Sequence, residues 1–464
     1  MTHRQYKNKG LLKGEITVFL SLLSALFLGL ICALTESVRS QMIRMNTEGV
    51  MDASLRSCFG EYDQKLYKRY DLLYIDSSYR GAETGGIDSV IAHLIRYMNE
   101  NTDYSDTGAA GDWYGQNPED ASALSWVFAS DEGGKPLKRQ AVEYMEKYGK
   151  ISYMDAVNSG KGSVKRGKKS NFFDEWDSIL ESIDAYGLPL TNPGKIVRGM
   201  VLSEDEFLKG GLTGGAMYGD RPSARGLKQG AGTAKLKRKN EDDDLFTEYL
   251  MQKCGCYTEF YPEQKLTAEL EYIVYGESTD RDNMVCVVKE LMDIRLCDNL
   301  RCIKGDGGRM AAAYARAYEI VMYNTLKIPP PGLVKLVRDS IVYAWAYGES
   351  AMDVSRLLSK GKCRIIKSPS DVELSLEDIV NFRSGLFGSG GEGFSYKELM
   401  GMFVSLTDDR TRRIRCMDIV EGNCREFYNS GFRIDGCVEY LRAKASLASG
   451  YGYEHTIERE YLYE

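Results

Sequence analysis

The chain has 464 residues, 43% hydrophobic and 27% charged, a globular composition with length enough for two or three domains' worth of core. Its formal net charge of −7 argues against a broad nucleic-acid-binding surface, so no nucleic-acid partner is expected. Thirty-one tyrosines against fifteen phenylalanines predict many half-buried aromatic positions with hydroxyls that meet water, common in extracytoplasmic and interaction proteins. One of the eleven cysteines, Cys32, falls inside an apolar run. The others are irregularly spaced, and Cys254 and Cys256 stand too close for a usual zinc knuckle. Bridges are compatible with their even number, but a chain this long needs no staples, and small core thiols are the commoner use.

Residues 16–34 read ITVFLSLLSALFLGLICAL, without a charge and with Thr17, Ser21 and Ser24 as polar interruptions. At 1.5 Å per residue the run covers about 28 Å, enough for a hydrocarbon core of about 30 Å. A cleaved secretory signal has a shorter apolar region and a small-residue site, which the following TESVR does not offer. A retained transmembrane helix over 16–34 is therefore predicted, with the lipid bilayer as its partner. Arg4, Lys7, Lys9 and Lys13 precede it, whereas Arg39 and Arg44 are opposed by Glu36 and Glu48. The positive-inside rule makes 1–15 a cytoplasmic stub and puts the bulk of the chain outside, in a single-pass cell-membrane topology. Val38, Met42 and Met45, then Met51, Leu55, Phe59, Tyr62, Leu66 and Tyr70, recur mostly at helical steps. They predict that the helix continues over 35–70 as an amphipathic stalk, bent near Gly49, where glycine costs about 1 kcal/mol relative to alanine.

Residues 70–76 read as a strand, and 87–98 and 138–148 as helices, within a first extracytoplasmic segment, 71–158. Residues 159–244 read as a flexible Gly/Lys-rich linker region with short ordered parts, because SGKGSVKRGKKS and the run ending KLKRKNEDDD hold few large apolar groups. Their charge runs most simply face solvent. From 245 to 464 the periodicity is densely helical: 245–251, 266–275, 280–300, 309–326, 331–347, 350–358, 396–406 and 408–428. In the fourth of these Met310, Tyr314, Ala317 and Val321 share the predicted inner face, and Pro329, Pro330 and Pro331 separate it from the next. Short strands are predicted at 256–261 and 362–367, a glycine-rich loop at 382–395, and a C-terminal β-hairpin turning at 450–452. In the hairpin Tyr461 and Tyr463 should pack while Glu458 and Glu460 face water. Residues 266–367 should form a folding core centred on Leu336 and Trp345. The fold class is α+β: a transmembrane helix and stalk, then a helix-rich extracytoplasmic domain with small antiparallel β elements.

Chemistry-bearing patterns are sparse. Three histidines, His3, His93 and His455, leave little for a histidine triad or a zinc site, and no catalytic, cofactor or metal residues are assigned. The glycine run 388–393 lacks the Lys-Ser/Thr ending and preceding apolar strand of a phosphate loop. The polar cluster that stands out is Glu269, Glu271, Asp280 and Asp282, with Arg281 and Arg295 as ion-pair partners. Four such carboxylates suit metal or acid–base chemistry. However, Glu269 and Glu271, two apart, point to different helix faces, and structural ion pairs are the commoner use. Trp345, Glu349 and Asp353 share a helix face that reads as a packing edge.

Several stretches together resemble one family. They are KGEITVFLSLL, FGEYDQKLYKRYDLLYID, LKRQAVEYMEKY and above all LEYIVYGESTDRDNM, LMDIRLCDNL and YAWAYGESAMDVSRLLSKGKCRIIK. The family is an uncharacterised, domain-of-unknown-function group of single-pass membrane proteins from clostridia, found beside Tad-type pilus and secretion genes, with N-termini similar to the TadE/TadG pseudopilins. The resemblance implies no activity. It does imply a process: a prepilin-type peptidase cuts after a glycine preceding the apolar helix, and Gly14 matches that glycine. The glutamate that follows it at the fifth position in pseudopilins is Phe19 here, with Glu15 directly after the glycine instead. The expectation is a non-enzymatic extracytoplasmic component of a Tad-like pilus or secretion assembly, meeting its protein partners through the N-terminal helix. The alternative is a membrane-tethered enzyme acting on cell wall or extracellular polymer, with the cluster around Glu269 as its site.

Overall fold

The computed structural model describes residues 9–463 apart from 80, 82–84, 104–114, 151, 165, 168–169, 209–211, 213, 233–241, 326–327, 387 and 389. Arg4, Lys7 and His3 of the stub, and most of the KLKRKNEDDD run, lie outside these. The architecture is α+β. Helix α1 (Lys9–Gly60) is one unbroken run, and every side chain from 15 to 39 is exposed. No break marks Gly49, which makes no close contact. The helix stops at Gly60, short of Tyr70, where the apolar pattern predicts its end. Asp63 restarts the chain as α2 (Gln64–Tyr70) by accepting from the Lys65 and Leu66 amides at 2.8 and 2.7 Å. A side-chain cap of this kind satisfies orphan amides at a helix start.

The outer half of α1 is half of a sandwich. Val50, Met51, Leu55, Cys58 and Phe59 pack with Val90, Ile91, Leu94 and Met98 of α3 (Ile87–Thr102) on a four-stranded antiparallel sheet. The sheet contains β1 (Ile75–Asp76), β2 (Gln116–Phe128), β5 (Cys437–Ser449) and β6 (Glu454–Leu462). Strand β5 is central, with β2 along one edge and β6 and β1 sharing the other. The predicted hairpin is β5–β6, and Tyr461 and Tyr463 place their rings 4.5 and 5.0 Å from Phe59, with Glu458 and Glu460 exposed. Strand β2 has no counterpart in the sequence reading. Its Pro118, Asp120 and three register shifts destroy the alternation that betrays a strand.

The second core is helical. It comprises α4 (Asp131–Tyr148), α5 (Met154–Lys161), α6 (Phe172–Asp184), α7 (Pro193–Gly199), α8 (Glu204–Phe207), α9 (Asp243–Lys253), α10 (Glu269–Tyr275), α11 (Asp280–Gly305), α12 (Gly307–Thr325), α13 (Pro331–Leu358), α14 (Tyr396–Ser405) and α15 (Asp409–Phe427). A two-stranded ribbon pairs β3 (Lys362–Cys363) with β4 (Phe394–Ser395). Helix α13 runs through the centre, buried from Ser340 to Ala351. It does not break at Gly348, as the sequence reading has it. A Cβ there would come within 2.8 Å of Leu374, so the glycine serves close packing. Gly276, with φ +77°, does end α10, and Thr279 caps α11.

Several expectations are corrected by burial. The described residues within 159–244, expected as a flexible linker region with short ordered parts, include core positions: Trp176 and Val197 are fully buried, and Val164 nearly so. Arg166, within the basic run, pairs with Glu290 at 3.1 Å and donates to Thr407. Leu336 is only half-buried, and Tyr314 faces water while Ala313, Ala317 and Val321 form the inner stripe of α12. Residues 256–261 make a tight Cys256–Glu259 bridge rather than a strand. Six of the largest fully buried side chains are tyrosines, so many hydroxyls are satisfied internally instead of by water. All eleven cysteines are free thiols.

Replacing Trp176 tests whether 159–244 belongs to the core. Trp176→Ala should cost about 3–5 kcal/mol, read as a lower chaotrope midpoint of the full chain in detergent. An unchanged midpoint would return this region to the status of a loop.

Candidate functional site

Helix α10 is short and surrounded, with Glu269 through Val274 all buried. That is why two acids two residues apart can both be interior: each face of the helix meets a different wall. Glu269 accepts from the Gly255 amide at 2.9 Å and from the side-chain amides of Gln264 and Asn423, the latter on α15. Glu271 accepts from the Tyr257 amide at 2.9 Å and the Tyr396 hydroxyl at 2.6 Å through Oε1. Its Oε2 is buried without a partner. Asp280, at the head of α11, accepts from the Thr267 and Ala268 amides at 2.9 and 3.0 Å.

Three of the four predicted carboxylates are thus gathered around one segment, 254–268, which they hold by its backbone. Asp282 is not among them. It is exposed and closes the Thr279 cap at 2.7 Å. The predicted arginine partners are engaged elsewhere. Arg281 pairs with Asp205 at 2.6 Å, and Arg295 with Asp353 at 3.1 Å and Asp298 at 3.2 Å. Without a cation in contact, burial dominates and pushes the Glu269 and Glu271 carboxyls up to about 7; Asp280 is raised for the same reason.

All three acids are shut away from the surface among the described residues. A surface pocket of ≈ 490 Å³ is lined by Phe260, Tyr261, Gln264, Lys265, Glu426 and Phe427, among others. Gln264 is the link between that pocket and Glu269, and the two charges facing it, Lys265 and Glu426, pair at 2.7 Å. Among the described residues no group of three or more His, Cys, Asp or Glu side chains is placed to hold a metal ion. The glycine run near 390 packs on β3, where Gly390 accepts from the Lys362 amide at 2.8 Å. Gly14 lies within α1 rather than ahead of it, next to an exposed Glu15.

A denser ionic centre escaped the sequence reading. Lys367, buried, donates to Glu349 at 2.6 Å and to Asp353 at 2.8 Å. Asp353 also receives Arg295 and Asn299, and Glu349 receives the Leu374 amide at 2.8 Å. Arg295 further donates to the Arg364 and Ile365 carbonyls at 2.8 and 2.9 Å, which accounts for β3 ending after Cys363. A legible signal existed: two acids four apart in the apolar middle of a helix, within 340–355, demand buried cations.

The fold and these centres define an α+β protein whose interior carboxylates brace backbone segments, with one helix long and apolar enough to span a membrane. The chain belongs to the family of unknown function DUF5702, whose model matches residues 192–449. No curated protein and no solved structure matches it.

The pH dependence of stability tests the buried acids. Both carboxyls titrate higher in the folded chain than the ~4.3 of a free glutamate. Their stabilising effect is therefore complete below that value and lost as pH rises through about 7. Glu271→Gln keeps the Oε1 acceptor and cannot ionise. Its unfolding midpoint should match the parent near pH ~3.5, below the free value, and exceed it near pH 8. A variant that loses stability equally at both values would show that the Glu271 charge is not the strained species.

Proposed function

We propose that this chain is a single-pass membrane protein with a cytoplasmic N-terminus, displaying a non-enzymatic extracytoplasmic domain as a component of a Tad-like pilus or secretion assembly. The observation that carries this reading is the continuity of α1. One helix is exposed on all sides over its apolar stretch and then enters the hydrophobic core at Ile43, Val50 and Met51 without a joint. Lateral forces on the anchor therefore reach the domain directly, which suits a structural part better than a tethered enzyme. Lys9 and Lys13 on the inner flank support the orientation. The Tad association rests on the family resemblance and on the exposed stripe of Val38, Met42 and Met45, a face continuous with the apolar span and free to meet another helix. Against the enzyme reading centred on Glu269 stands the full burial of Glu269 and Glu271, each spent on holding backbone amides.

Cys297 is an exposed thiol on α11, and Cys32, also exposed, lies within the apolar stretch. A membrane-impermeant maleimide should label intact cells, and Cys297→Ser should abolish most of that signal. Labelling only after permeabilisation would reverse the topology. Met42→Glu should reduce co-purification of pilus or secretion membrane proteins without moving the unfolding midpoint, since Met42 is exposed. Undiminished co-purification would remove α1 as the partner surface.

A further inference from the structure

Strand β6 and the outer half of α1 run side by side in the same direction. Tyr453 donates to the Glu36 carboxylate, Arg459 pairs with Glu48 at 3.2 Å and Asp52 at 2.9 Å, and Tyr463 donates to the Phe59 carbonyl. The two elements advance together: from 453 to 463 a strand covers about 33 Å, and from 36 to 59 a helix covers about 35 Å. The turn joining β5 to β6 is therefore fixed at the level of Glu36 and points back along α1 toward the apolar stretch.

What stands at that turn is an aromatic ring on a slim backbone. Gly450 and Gly452 flank Tyr451, and Gly452 adopts φ +80°, a conformation that side chains disfavour. Tyr451 is 48% exposed, and the Arg39 guanidinium lies 4.6 Å from its ring centroid. Glu36 and Arg39 follow Leu34 by about 3 and 8 Å along the helix axis. The headgroup layer outside each face of a hydrocarbon core is about 5–8 Å deep. Tyrosine and arginine are the residues that favour this layer, the one for its apolar body and polar tip, the other for phosphate.

We propose that the 450–453 turn is a second membrane contact, seated among the phospholipid headgroups of the bilayer that α1 crosses, with Tyr451 as the interfacial ring. The inference rests on the reading that 16–34 spans the membrane. It adds that the domain is held upright by two points, the helix and the hairpin tip, joined by the ion pairs along β6.

The full chain, reconstituted in phosphatidylethanolamine–phosphatidylglycerol vesicles, carries p-benzoylphenylalanine at one position at a time: 26 in the apolar helix, 451 in the turn, or 460, exposed and about 23 Å beyond residue 453 along β6. After irradiation, intact mass spectrometry reads the addition of one phospholipid. Adducts at 26 and 451 with none at 460 are expected. An adduct at 26 and none at 451 overturns the headgroup contact and leaves the anchor standing. No adduct at 26 overturns the anchor and the contact with it, and an adduct at 460 overturns the upright geometry.

Discussion

Most of the structure follows from the burial of one side of α1. A helix of 52 residues is a rod about 78 Å long, and its two halves present different surfaces. Over 16–34 it is uncharged and exposed at every residue. Beyond Ile43 one stripe closes on α3 and the sheet, while Arg44, Met45 and Gly49 look outward. Because no loop separates the halves, the sheet's orientation is set by the helix. Strand β6 lies along the rod, β5 lies along β6, and β2 follows β5. Removing large side chains such as Met51, Leu55 and Phe59 from such a seam costs several kcal/mol each, which makes it the place where the domain and the apolar half of α1 are mechanically one body.

The helical core solves a different problem: how to bury acids without exposing a site. Around α10 the acids take backbone and amide donors, so each carboxylate ties down a loop that has no regular partners of its own. Around α13 the acids take cations, and Lys367 and Arg295 are themselves tied to the 364–367 segment. The first device leaves the carboxyls raised. The second leaves Asp353 lowered, because Arg295 and Lys367 outweigh its burial. A third instance joins the two cores, where Glu439 on β5 is met by Arg139 and Gln140 of α4. Breaking a buried pair by removing one partner is costly, typically about 3–5 kcal/mol, because the other charge is left stranded. These centres therefore specify which segments lie against which helices.

The order of elements in 245–428 and the hairpin at the C-terminus were legible because their apolar spacing is local. A helix states its inner face every three or four residues, and Asp242, Thr279, Ser395 and Asp408 announce helix starts by side-chain capping. The apolar run at 16–34 was legible for the same reason, since length and absence of charge are read without knowing what lies nearby. Family membership was legible as well, from whole stretches of sequence.

The contents of 116–128 and 159–244 were not legible, nor were the partners of the acids. Bulged β2 borrows its regularity from β5, and Trp176 is enclosed by Tyr343 and Tyr347, more than a hundred and fifty residues away in sequence. Glu269 and Glu271 face opposite sides of α10, which on an exposed helix would separate them into one buried and one solvated group. Both are interior because α11, α14 and α15 enclose the helix. Sequence by itself determined the membrane-length helix, the succession of helices and the closing hairpin, all consequences of local periodicity. Tertiary structure alone decided which charges are buried, what they hold, and that the hairpin turn lies beside Glu36, because burial is a property of segments distant in the chain that pack together in space.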